Sequence, residues 1–424
     1  MCFTGSAIDR SAAMLNQKNP GFFAECLATA TTRFVLLHRG SALCVSDSTG
    51  ALAPRWLTLA ELLIAGIRLE LPQGVELPGH DAGSAITVLL GSIPPEDGDS
   101  ASSGWRVAVE WGWHADAEAV ALQAAVGGGA SAELEWCGGR DLYHRLAWTD
   151  AAVIGHAVCA TGWQLKTLRC GVTSLPTVPI EAGAKRSTAS GSGREHRYYP
   201  RIDPCCIMLV VSSDRSRALL SHPARLRSGV WTCLAGFIDS CESVEEAVRR
   251  ETLEEAGIAV GSVELYCSQP WPIGRGGAEL MIACKAVATS SDVTVGDTAE
   301  YASSDDVRWF TRGEATKMLA AASEAYHHQA PRAQGNCTQA SSDGDHTAPH
   351  PDGPSTLLTP GPYAVAYHLI KNWTEEELET AEEETEEAVP VAAAVGLSHV
   401  RPWEAICMFA LGAAVATAVA ARNR

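Results

Sequence analysis

Three glutamates, Glu251, Glu254 and Glu255, stand at spacings that could hold a metal ion. On a helix these positions, i, i+3 and i+4, place their carboxylates on one face. Crowded like charges destabilise a helix unless a cation lies among them, and hard oxygen ligands suit Mg²⁺ or Mn²⁺ bound together with substrate phosphates. The spacing therefore predicts a divalent metal site. The alternative is a solvated acidic helix face.

The residues around these glutamates predict where their helix begins and ends. Ser243 is an N-cap residue, and Glu246 three positions later completes a capping box. Gly257 stands where a helix ends in a left-handed residue. Arg250 is expected to orient one of the glutamates through a charge-assisted hydrogen bond, the alternative being an exposed ion pair that contributes little.

Bulk composition limits the class of protein. The chain has 424 residues, 46% of them hydrophobic and 19% charged, which is typical of a globular protein with two or three domains. A net charge of −18 argues against a broad surface for nucleic acid, although nine glutamates between residues 375 and 387 account for half of it. Fourteen cysteines without a C-x-x-C pair or a signal peptide indicate reduced thiols in a cytosol-like compartment.

The first 165 residues alternate short apolar runs with Gly, Pro and Asp. The pattern predicts strands at 34–37 and 85–90 and helices at 57–67 and 116–125. No catalytic constellation stands out in this part. We therefore interpret it as a structural or dimer-forming domain, and the whole chain as a homodimer.

The rest of the chain divides by composition. Residues 182–195 are rich in Gly, Ser, Ala and Lys and predict a flexible loop. Residues 323–356 predict a disordered insertion, in which His327 and His328 are interpreted as solvated and not as metal ligands. Between and after these segments we predict strands at 206–211, 218–221, 231–235, 263–267, 280–288 and 307–310, and helices at 314–322 and 363–371.

The pattern Gly236, five residues, Glu242, seven residues, Arg250-Glu251-x-x-Glu-Glu-x-Gly257 resembles the Nudix box. Only Thr252 departs from it, where the family has an aliphatic residue. Four further segments resemble the NADH pyrophosphatase family within that superfamily: the Y-P-R-x-D-P motif at 199–204, L-A-G-F at 234–237, S-Q-P-W-P at 268–272 and the helix at 358–370. The match covers about residues 149–373.

The resemblance implies a fold and a division into domains. It implies an α+β protein: a Nudix α/β/α sandwich with a mixed sheet, preceded by a smaller α/β amino-terminal domain. The expected segments are a Nudix-like or dimerisation domain (1–165), a degenerate zinc-ribbon region with a flexible loop (166–197), the catalytic domain (198–373, with the insertion at 323–356), an acidic linker (374–402) and a carboxyl-terminal segment (403–424).

The resemblance also implies an activity and a site. Such enzymes hydrolyse NADH or NAD to a nicotinamide mononucleotide and AMP, and an NAD cap on RNA presents the same bond. Two or more Mg²⁺ or Mn²⁺ ions would be held by Glu251, Glu254, Glu255, Glu300 and the Ala235 carbonyl. Substrate would contact Tyr199, Ala235, Gly236, Phe237, Ser268, Gln269, Pro270, Trp271 and Pro272. Tyr199 and Phe237 would stack on a ring of the substrate, the alternative being ordinary core aromatics.

Three departures from the family pattern accompany this reading. Of the four cysteines that hold a structural zinc in family members, only Cys170 remains, and Thr173 occupies the second position, so no zinc is predicted. Ile273 and Gly274 replace an aromatic-Pro pair before a longer turn, which leaves the preferred substrate open. Ser303 holds the position of a further Glu ligand, and Glu300 would serve if the loop carries three extra residues.

Two other functions stay open on the sequence alone. One is a Nudix hydrolase of ADP-ribose or another nucleoside diphosphate derivative. The other, from a different class, is a membrane-tethered module that binds a dinucleotide without cutting it. Hydrolysis of a panel of such compounds discriminates between them.

The carboxyl-terminal segment carries its own prediction. Residues 405–421 contain no charge, and Trp403, Arg422 and Arg424 flank them as interface residues would. We expect a tail anchor in an intracellular membrane, of the peroxisome type or the mitochondrial outer membrane, with the catalytic domain facing the cytosol. The alternative is a soluble cytoplasmic protein in which this segment packs as a hydrophobic helix.

Overall fold

The structure is a computed structural model. It describes residues 1–16, 18–47, 50–71, 85–93, 104–111, 133–188, 194–226, 229–274, 277–295, 306–328 and 357–376. The predicted helix at 116–125, Glu300, Ser303, most of the predicted insertion, the acidic linker beyond residue 376 and the carboxyl-terminal segment lie outside these ranges. None of the helices within them is long and apolar enough to cross a membrane.

An amino-terminal mixed sheet is covered by helices on both faces. Its strands are β1 (Arg33–His38), β2 (Ser41–Ser46), β3 (Leu52–Pro54), β4 (Trp56–Leu57), β5 (Leu69–Glu70), β6 (Ala85–Ile93), β7 (Gly104–Glu110) and β8 (Glu133–Cys137). Its helices are α1 (Ser11–Asn16), α2 (Pro20–Ala28), α3 (Leu59–Ile64), α4 (Asp141–His144) and α5 (Trp148–Lys166). Because successive β1 residues point to opposite faces, Phe34 and Leu36 pack with α2 and α3, whereas Val35 and Leu37 pack with α5.

A second mixed sheet forms the carboxyl-terminal half as an α/β/α sandwich. Its strands are β12 (Asp203–Val211), β13 (Arg217–Ser221), β14 (Leu234–Phe237), β15 (Val260–Gly274), β16 (Gly277–Ala288) and β17 (Val307–Thr311), and its helices are α6 (Val244–Ala256), α7 (Arg312–His328) and α8 (Val365–Glu375). Cys206 and Met208 of β12 pack against α6, and Ile207 and Leu209 pack against α7 and α8. The sandwich predicted from the family resemblance is therefore confirmed.

The two sheets share one topology. In the first, β1 pairs antiparallel with β2 and β4 and parallel with β7, which pairs antiparallel with β6, while β8 pairs with β2. In the second, β12 makes the same pairings with β13, β14 and β16, β15 flanks β16, and β17 pairs with β13. Helices α3 and α6 follow the corresponding strands, and each begins with a capping box.

A small sheet joins the two halves and corrects one prediction. It consists of β9 (Thr177–Ile180), β10 (Lys185–Thr188) and β11 (Arg197–Tyr198). The flexible loop expected at 182–195 is wrong for residues 182–188, because Ala182 is buried and β10 pairs with both neighbours. Composition could not reveal this, because β10 is held by pairing with two other strands and by contacts of Arg186 with distant parts of the chain.

Arg186 is 1% exposed and binds three elements at once. Its guanidinium donates to the Glu70 carboxylate at 2.9 and 3.2 Å, to the Gln164 side-chain oxygen at 2.6 Å, and to the carbonyl and hydroxyl of Thr177 at 2.8 and 2.9 Å. These bonds connect β10 with β5, α5 and β9. They stabilise the region in which the sequence retains only Cys170 of the four zinc-binding cysteines of the family.

Other boundaries differ from the predictions in detail. Helix α7 runs to His328, so the disordered insertion expected from residue 323 is wrong for its first six residues. Strand β14 begins at Leu234 instead of residue 231, and α3 covers only Leu59–Ile64 of the predicted 57–67. The remaining predicted strands lie within observed strands, and the predicted helices at 314–322 and 363–371 correspond to α7 and α8.

Candidate active site

Helix α6 begins and ends where the sequence predicts. The Ser243 hydroxyl accepts from the Glu246 N–H at 3.2 Å, and the Glu246 carboxylate accepts from the Ser243 N–H at 2.8 Å. Gly257 adopts φ +67° and donates its N–H to the Leu253 carbonyl. Thr252, the departure from the family pattern, is fully buried, and its hydroxyl donates to the Val248 carbonyl at 2.6 Å.

Gly236 lies directly beneath the carboxylate of Glu251. A Cβ added at Gly236 would stand 1.9 Å from the Glu251 Cδ and 2.1 and 2.2 Å from its oxygens. Even a methyl group here would require the Glu251 carboxylate to move. Glycine at this position therefore allows helix α6 to place Glu251 against strand β14.

Arg250 organises the acidic residues around it. Its guanidinium donates to both Glu242 oxygens at 2.8 Å, to Glu251 at 2.8 Å, to Glu254 at 3.1 Å and to the Phe237 carbonyl at 2.9 Å. The hydrogen bonds from Arg250 and from the Asp239 backbone lower the pKa of Glu242 to about 2. Glu242 stands at a fixed spacing from Gly236 in the sequence pattern, which is the signal for its role, although no role was predicted for it.

Glu255 is the buried member of the acidic cluster. Glu255 is 5% exposed, and its Oε2 has no hydrogen-bond partner within the described residues. Burial, reinforced by the charge of Glu251, raises the pKa of Glu255 to about 8, against the charge of Arg225 and a hydrogen bond with the Ala235 backbone. Burial also raises the pKa of Glu251. The role of Arg225 was not predicted, because no spacing in the sequence connects it with the glutamates.

These carboxylates fit a divalent cation that the substrate helps to hold. Mg²⁺ binds through one or two carboxylates with water and substrate phosphates, and so does not require a cage of protein ligands. Such a cage is absent from the described residues, where no three His, Cys, Asp or Glu side chains are arranged around one point. The buried oxygen of Glu255 beside Glu251 has no hydrogen-bond partner within the described residues, and a bound cation would satisfy it and favour the ionised carboxylate. Glu254 is 54% exposed and held by Arg250.

A row of paired residues connects this cluster with the S-Q-P-W-P segment. Gly236 pairs with Cys206, Cys206 with Ile282, and Ile282 with Ser268. Paired residues share a face of the sheet, so Ser268 lies on the face of Glu251, about 14 Å from Gly236 at the usual spacing of strands. Ser268 and Pro270 are exposed there. This face therefore forms an open platform beside the carboxylates.

Gln269 and Trp271 point to the opposite face. Gln269 is 1% exposed and donates to the Cys2 and Tyr363 carbonyls at 2.9 and 2.7 Å, while its oxygen accepts from the Val365 N–H at 2.8 Å. Trp271 contacts Phe3 and Tyr143, with ring centroids 5.8 and 6.0 Å apart. The expectation that the Gln269 side chain lines the substrate pocket is therefore wrong, because its polar atoms are engaged in joining the two halves of the protein.

Pro272 packs against the amino-terminal half as well. A Cβ added at Gly155 of helix α5 would stand 2.8 Å from the Pro272 ring. Alternation along strand β15 places Ser268 and Pro270 on the open face and Gln269 and Trp271 on the other. Pro272 is buried as well, because the register of β15 shifts between Trp271 and Gly274. The sequence predicted the segment but could not assign its faces, because the register of β15 was unknown.

The two aromatic residues expected to stack on substrate are exposed. Tyr199 is 59% exposed and Phe237 is 47% exposed. The alternative interpretation as core aromatics is therefore wrong. The Lys185 ammonium lies 5.0 Å from the centre of the Tyr199 ring.

Cys170 has hydrogen-bond partners in this structure. Its sulfur accepts from the Tyr198 hydroxyl at 2.9 Å and from the Thr173 N–H at 3.3 Å. Burial raises the pKa of Cys170, but these hydrogen bonds outweigh it and lower the pKa to about 7.

Comparisons with known proteins agree with this geometry. A family model, the NUDIX domain, matches residues 204–330. The chain is 37% identical over 247 residues to Nudix hydrolase 19, chloroplastic, of Arabidopsis thaliana, covering 55% of this chain and 54% of that protein. It is 37% identical over 180 residues to the NAD-capped RNA hydrolase NUDT12 of Homo sapiens, covering 41% of this chain and 37% of that protein.

A third relative is named for a different activity. The chain is 31% identical over 238 residues to the NAD(P)H pyrophosphatase NUDT13, mitochondrial, of Homo sapiens, covering 56% of this chain and 59% of that protein. The chain thus spans between about a third and three fifths of the length of these curated relatives.

Proposed function

We propose that this chain, whose residues 204–330 form a NUDIX domain, is a metal-dependent pyrophosphatase that hydrolyses NADH and NAD to a nicotinamide mononucleotide and AMP. The observation that carries the proposal is the buried, unpartnered oxygen of Glu255 beside Glu251, next to an open platform. The relatives named as NAD(P)H pyrophosphatase and NAD-capped RNA hydrolase support the choice of substrate class.

The chemistry assigns separate tasks to the residues of α6. A divalent cation at Glu251 and Glu255, with Glu254, Glu300 and the Ala235 carbonyl as further ligands, would neutralise the diphosphate oxygens and polarise the phosphorus. Arg250 fixes Glu251 and the loop before the helix, so that the carboxylates do not have to reorganise when substrate binds. Phe237 and Tyr199 offer exposed aromatic faces to the substrate rings.

The pKa of Glu255 gives it a second capacity. Near pH 8 an unliganded Glu255 is about half protonated, so it can accept or release a proton at physiological pH. A bound cation would favour its ionised form. Glu255 is therefore the residue of the cluster best suited to bind the cation through its carboxylate oxygen and to change its protonation when cation and substrate bind.

Removal of NAD caps from RNA is a second activity that we propose for the same site. The scissile diphosphate of the cap is the one in NAD. The open platform around Ser268 and Pro270 leaves the site unenclosed on that face within the described residues.

A hydrolysis panel tests both activities. Purified protein with Mg²⁺ or Mn²⁺ is given NADH, NAD, ADP-ribose, a diadenosine compound and NAD-capped RNA, and products are identified by mass spectrometry. We expect AMP and a nicotinamide mononucleotide from the first two. ADP-ribose as the preferred substrate would support the other Nudix activity, and tight binding without any product would support a non-catalytic module.

The topology supports a proposal for the amino-terminal half. We infer that residues 1–165 are a Nudix-like domain whose described residues carry no metal-binding cluster of carboxylates, followed by a joining region (166–197) and the catalytic domain (198–373). The helix corresponding to α6 is α3, and its one glutamate, Glu61, is engaged with Thr58 and Arg55. A homodimer of this chain is proposed from the family resemblance, and analytical ultracentrifugation tests it.

The tail anchor remains a proposal from the sequence of residues 403–424. Seventeen uncharged residues rise about 25 Å as a helix, slightly less than a hydrocarbon core of about 30 Å. Fusing this segment to an inert reporter should direct the reporter to a membrane, and deleting it should leave the kinetics unchanged. A reporter that stays soluble, together with a deletion that unfolds the enzyme, would indicate a packed helix instead.

A further inference from the structure

A cleft of about 540 Å³ lies on the side of the carboxyl-terminal sheet away from the acidic cluster. It opens between the carboxyl end of α5, the turn between β1 and β2, and the first residues of β12 and β16. Asp203 lines it, and because Asp203 stands three residues from Cys206 on β12, the two side chains point to opposite faces. The cleft is therefore separate from the site that contains Glu251 and Glu255.

The turn that contributes Arg39 to this cleft is built with some strain. Arg39 adopts φ +50° and Gly40 φ +76°, and the left-handed region is unfavourable for a residue such as Arg39. The fully buried carboxylate of Glu110 stabilises the turn by accepting from the Arg39 N–H at 3.0 Å and the Gly40 N–H at 3.4 Å. The position of Arg39 at the rim is thus fixed by the fold.

The charges at the cleft are mostly positive. Arg39, Lys166 and Arg201 contribute three cations, and Asp203 contributes one carboxylate, which accepts from Arg201 at 2.6 Å. Trp163 of helix α5 supplies an aromatic surface among these cations. A volume between about 300 and 1,000 Å³ is typical of small-molecule sites. Cations beside an aromatic side chain are the combination that binds a phosphate together with a base.

We propose that this cleft binds a phosphate-bearing nucleotide, with its phosphate among Arg39, Lys166 and Arg201 and its base against Trp163. The shared chemistry could come from a free mononucleotide or from one unit of an RNA strand. The proposal does not depend on the hydrolytic function, since it concerns the opposite face of the sheet.

Isothermal titration calorimetry in EDTA tests the proposal with two probes, AMP and a single-stranded adenylate tetranucleotide. For whichever probe binds, Lys166→Ala should raise the Kd at least tenfold. Trp163→Leu should weaken AMP much more than inorganic phosphate, because only AMP carries a base. Arg169→Ala is the matched control, since Arg169 is an exposed cation three residues further along that does not line the cleft.

A further variant distinguishes binding in the cleft from binding at the catalytic site. Glu255→Gln should bind the probes as tightly as the natural chain. Binding of AMP assigns the cleft to free nucleotides, and binding of the tetranucleotide alone assigns it to RNA. Absence of binding by both probes, an unchanged Kd in Lys166→Ala, or loss of binding in Glu255→Gln would overturn the proposal. If Trp163→Leu fails to fold, Lys166→Ala still decides.

Discussion

At the scale of single residues, the site depends on a carboxylate that the fold keeps out of water. A buried Glu255 beside Glu251 would be unfavourable in a helix without a ligand, because burial and a like charge both oppose ionisation. The same unfavourable arrangement gives a cation a reason to bind. The free energy that is lost by burying Glu255 beside Glu251 would therefore be recovered when a cation binds.

Glu255→Gln should stabilise the metal-free protein at alkaline pH. The folded pKa of about 8 lies above the unfolded value of 4.5, so the contribution of Glu255 to stability is fully present below pH 4.5 and is lost as pH rises through 8. The variant lacks this titration. Thermal unfolding in EDTA should show the natural chain losing on the order of 5 °C relative to Glu255→Gln between pH 6 and pH 9. If the unfolding temperatures of the two proteins changed with pH in parallel, the raised pKa of Glu255 would be contradicted.

Arg250→Lys should lower kcat by about tenfold or more while the protein remains folded. A lysine cannot make the paired bonds to Glu242 and still reach Glu251, Glu254 and the Phe237 carbonyl. Arg249→Lys is the matched control, because the neighbouring Arg249 bonds only the Gly261 carbonyl in the described contacts. Equal kinetics for the two variants, measured on NADH with Mg²⁺, would show that Arg250 does not position the site.

At the scale of elements, helix α6 and strand β14 form one unit whose glycines have different tasks. Gly236 lets Glu251 approach the strand, and Gly257 ends the helix with positive φ. The first glycine concerns the site, and the second concerns the stability of the helix end.

Gly236→Ala and Gly257→Ala should therefore separate activity from stability. A Cβ at Gly236 collides with the Glu251 carboxylate, so turnover should fall at least a hundredfold with a small change in unfolding free energy. Gly257 has a left-handed backbone conformation, which is unfavourable for alanine, and an added Cβ would lie 2.7 Å from the Thr294 carbonyl oxygen. Gly257→Ala should therefore lose about 1–3 kcal/mol of stability. Urea unfolding and NADH turnover of both variants provide the check, and a reversed ranking would refute this division.

The sequence predicted elements whose signals are local. The capping box at Ser243, the stop at Gly257 and the alternation of apolar residues in β12 depend on neighbours along the chain, so they could be read directly. The roles of Glu242, Arg225 and Gln269 depend on partners far away in sequence or on the face of a strand. The flexible loop expected at 182–195 is wrong for residues 182–188 for the same reason, since strand pairing and the bonds of Arg186 to Glu70 and Gln164 order them.

At the scale of the whole molecule, the two halves are joined by buried polar contacts. Gln269 connects the carboxyl-terminal sheet with the amino-terminal Cys2 and with helix α8, and Arg186 connects β10 with the amino-terminal β5 and α5. Residues 1–376 form one compact unit by their contacts. The amino-terminal half therefore supports the carboxyl-terminal half through these bonds even though it has no acidic cluster like that of α6 in its described residues.

Arg186→Met should destabilise this unit by about 3 kcal/mol. The substitution leaves Gln164 and Glu70 without their partner, and removing one member of a buried pair is costly because the other remains. Arg197→Met, which breaks a pair with Glu195 whose side chains are about half exposed, should cost about 1 kcal/mol or less. Urea unfolding of both variants tests the difference, and equal losses would mean that Arg186 does not join the halves.

The measurement that tests the central claim most directly is product analysis of NADH hydrolysis by the natural chain and by Glu255→Gln, each with and without Mg²⁺. We predict AMP and the reduced nicotinamide mononucleotide from the natural chain only when the cation is present, and turnover at least a hundredfold lower in the variant. Metal-independent cleavage, or a variant as active as the natural chain, would contradict the account.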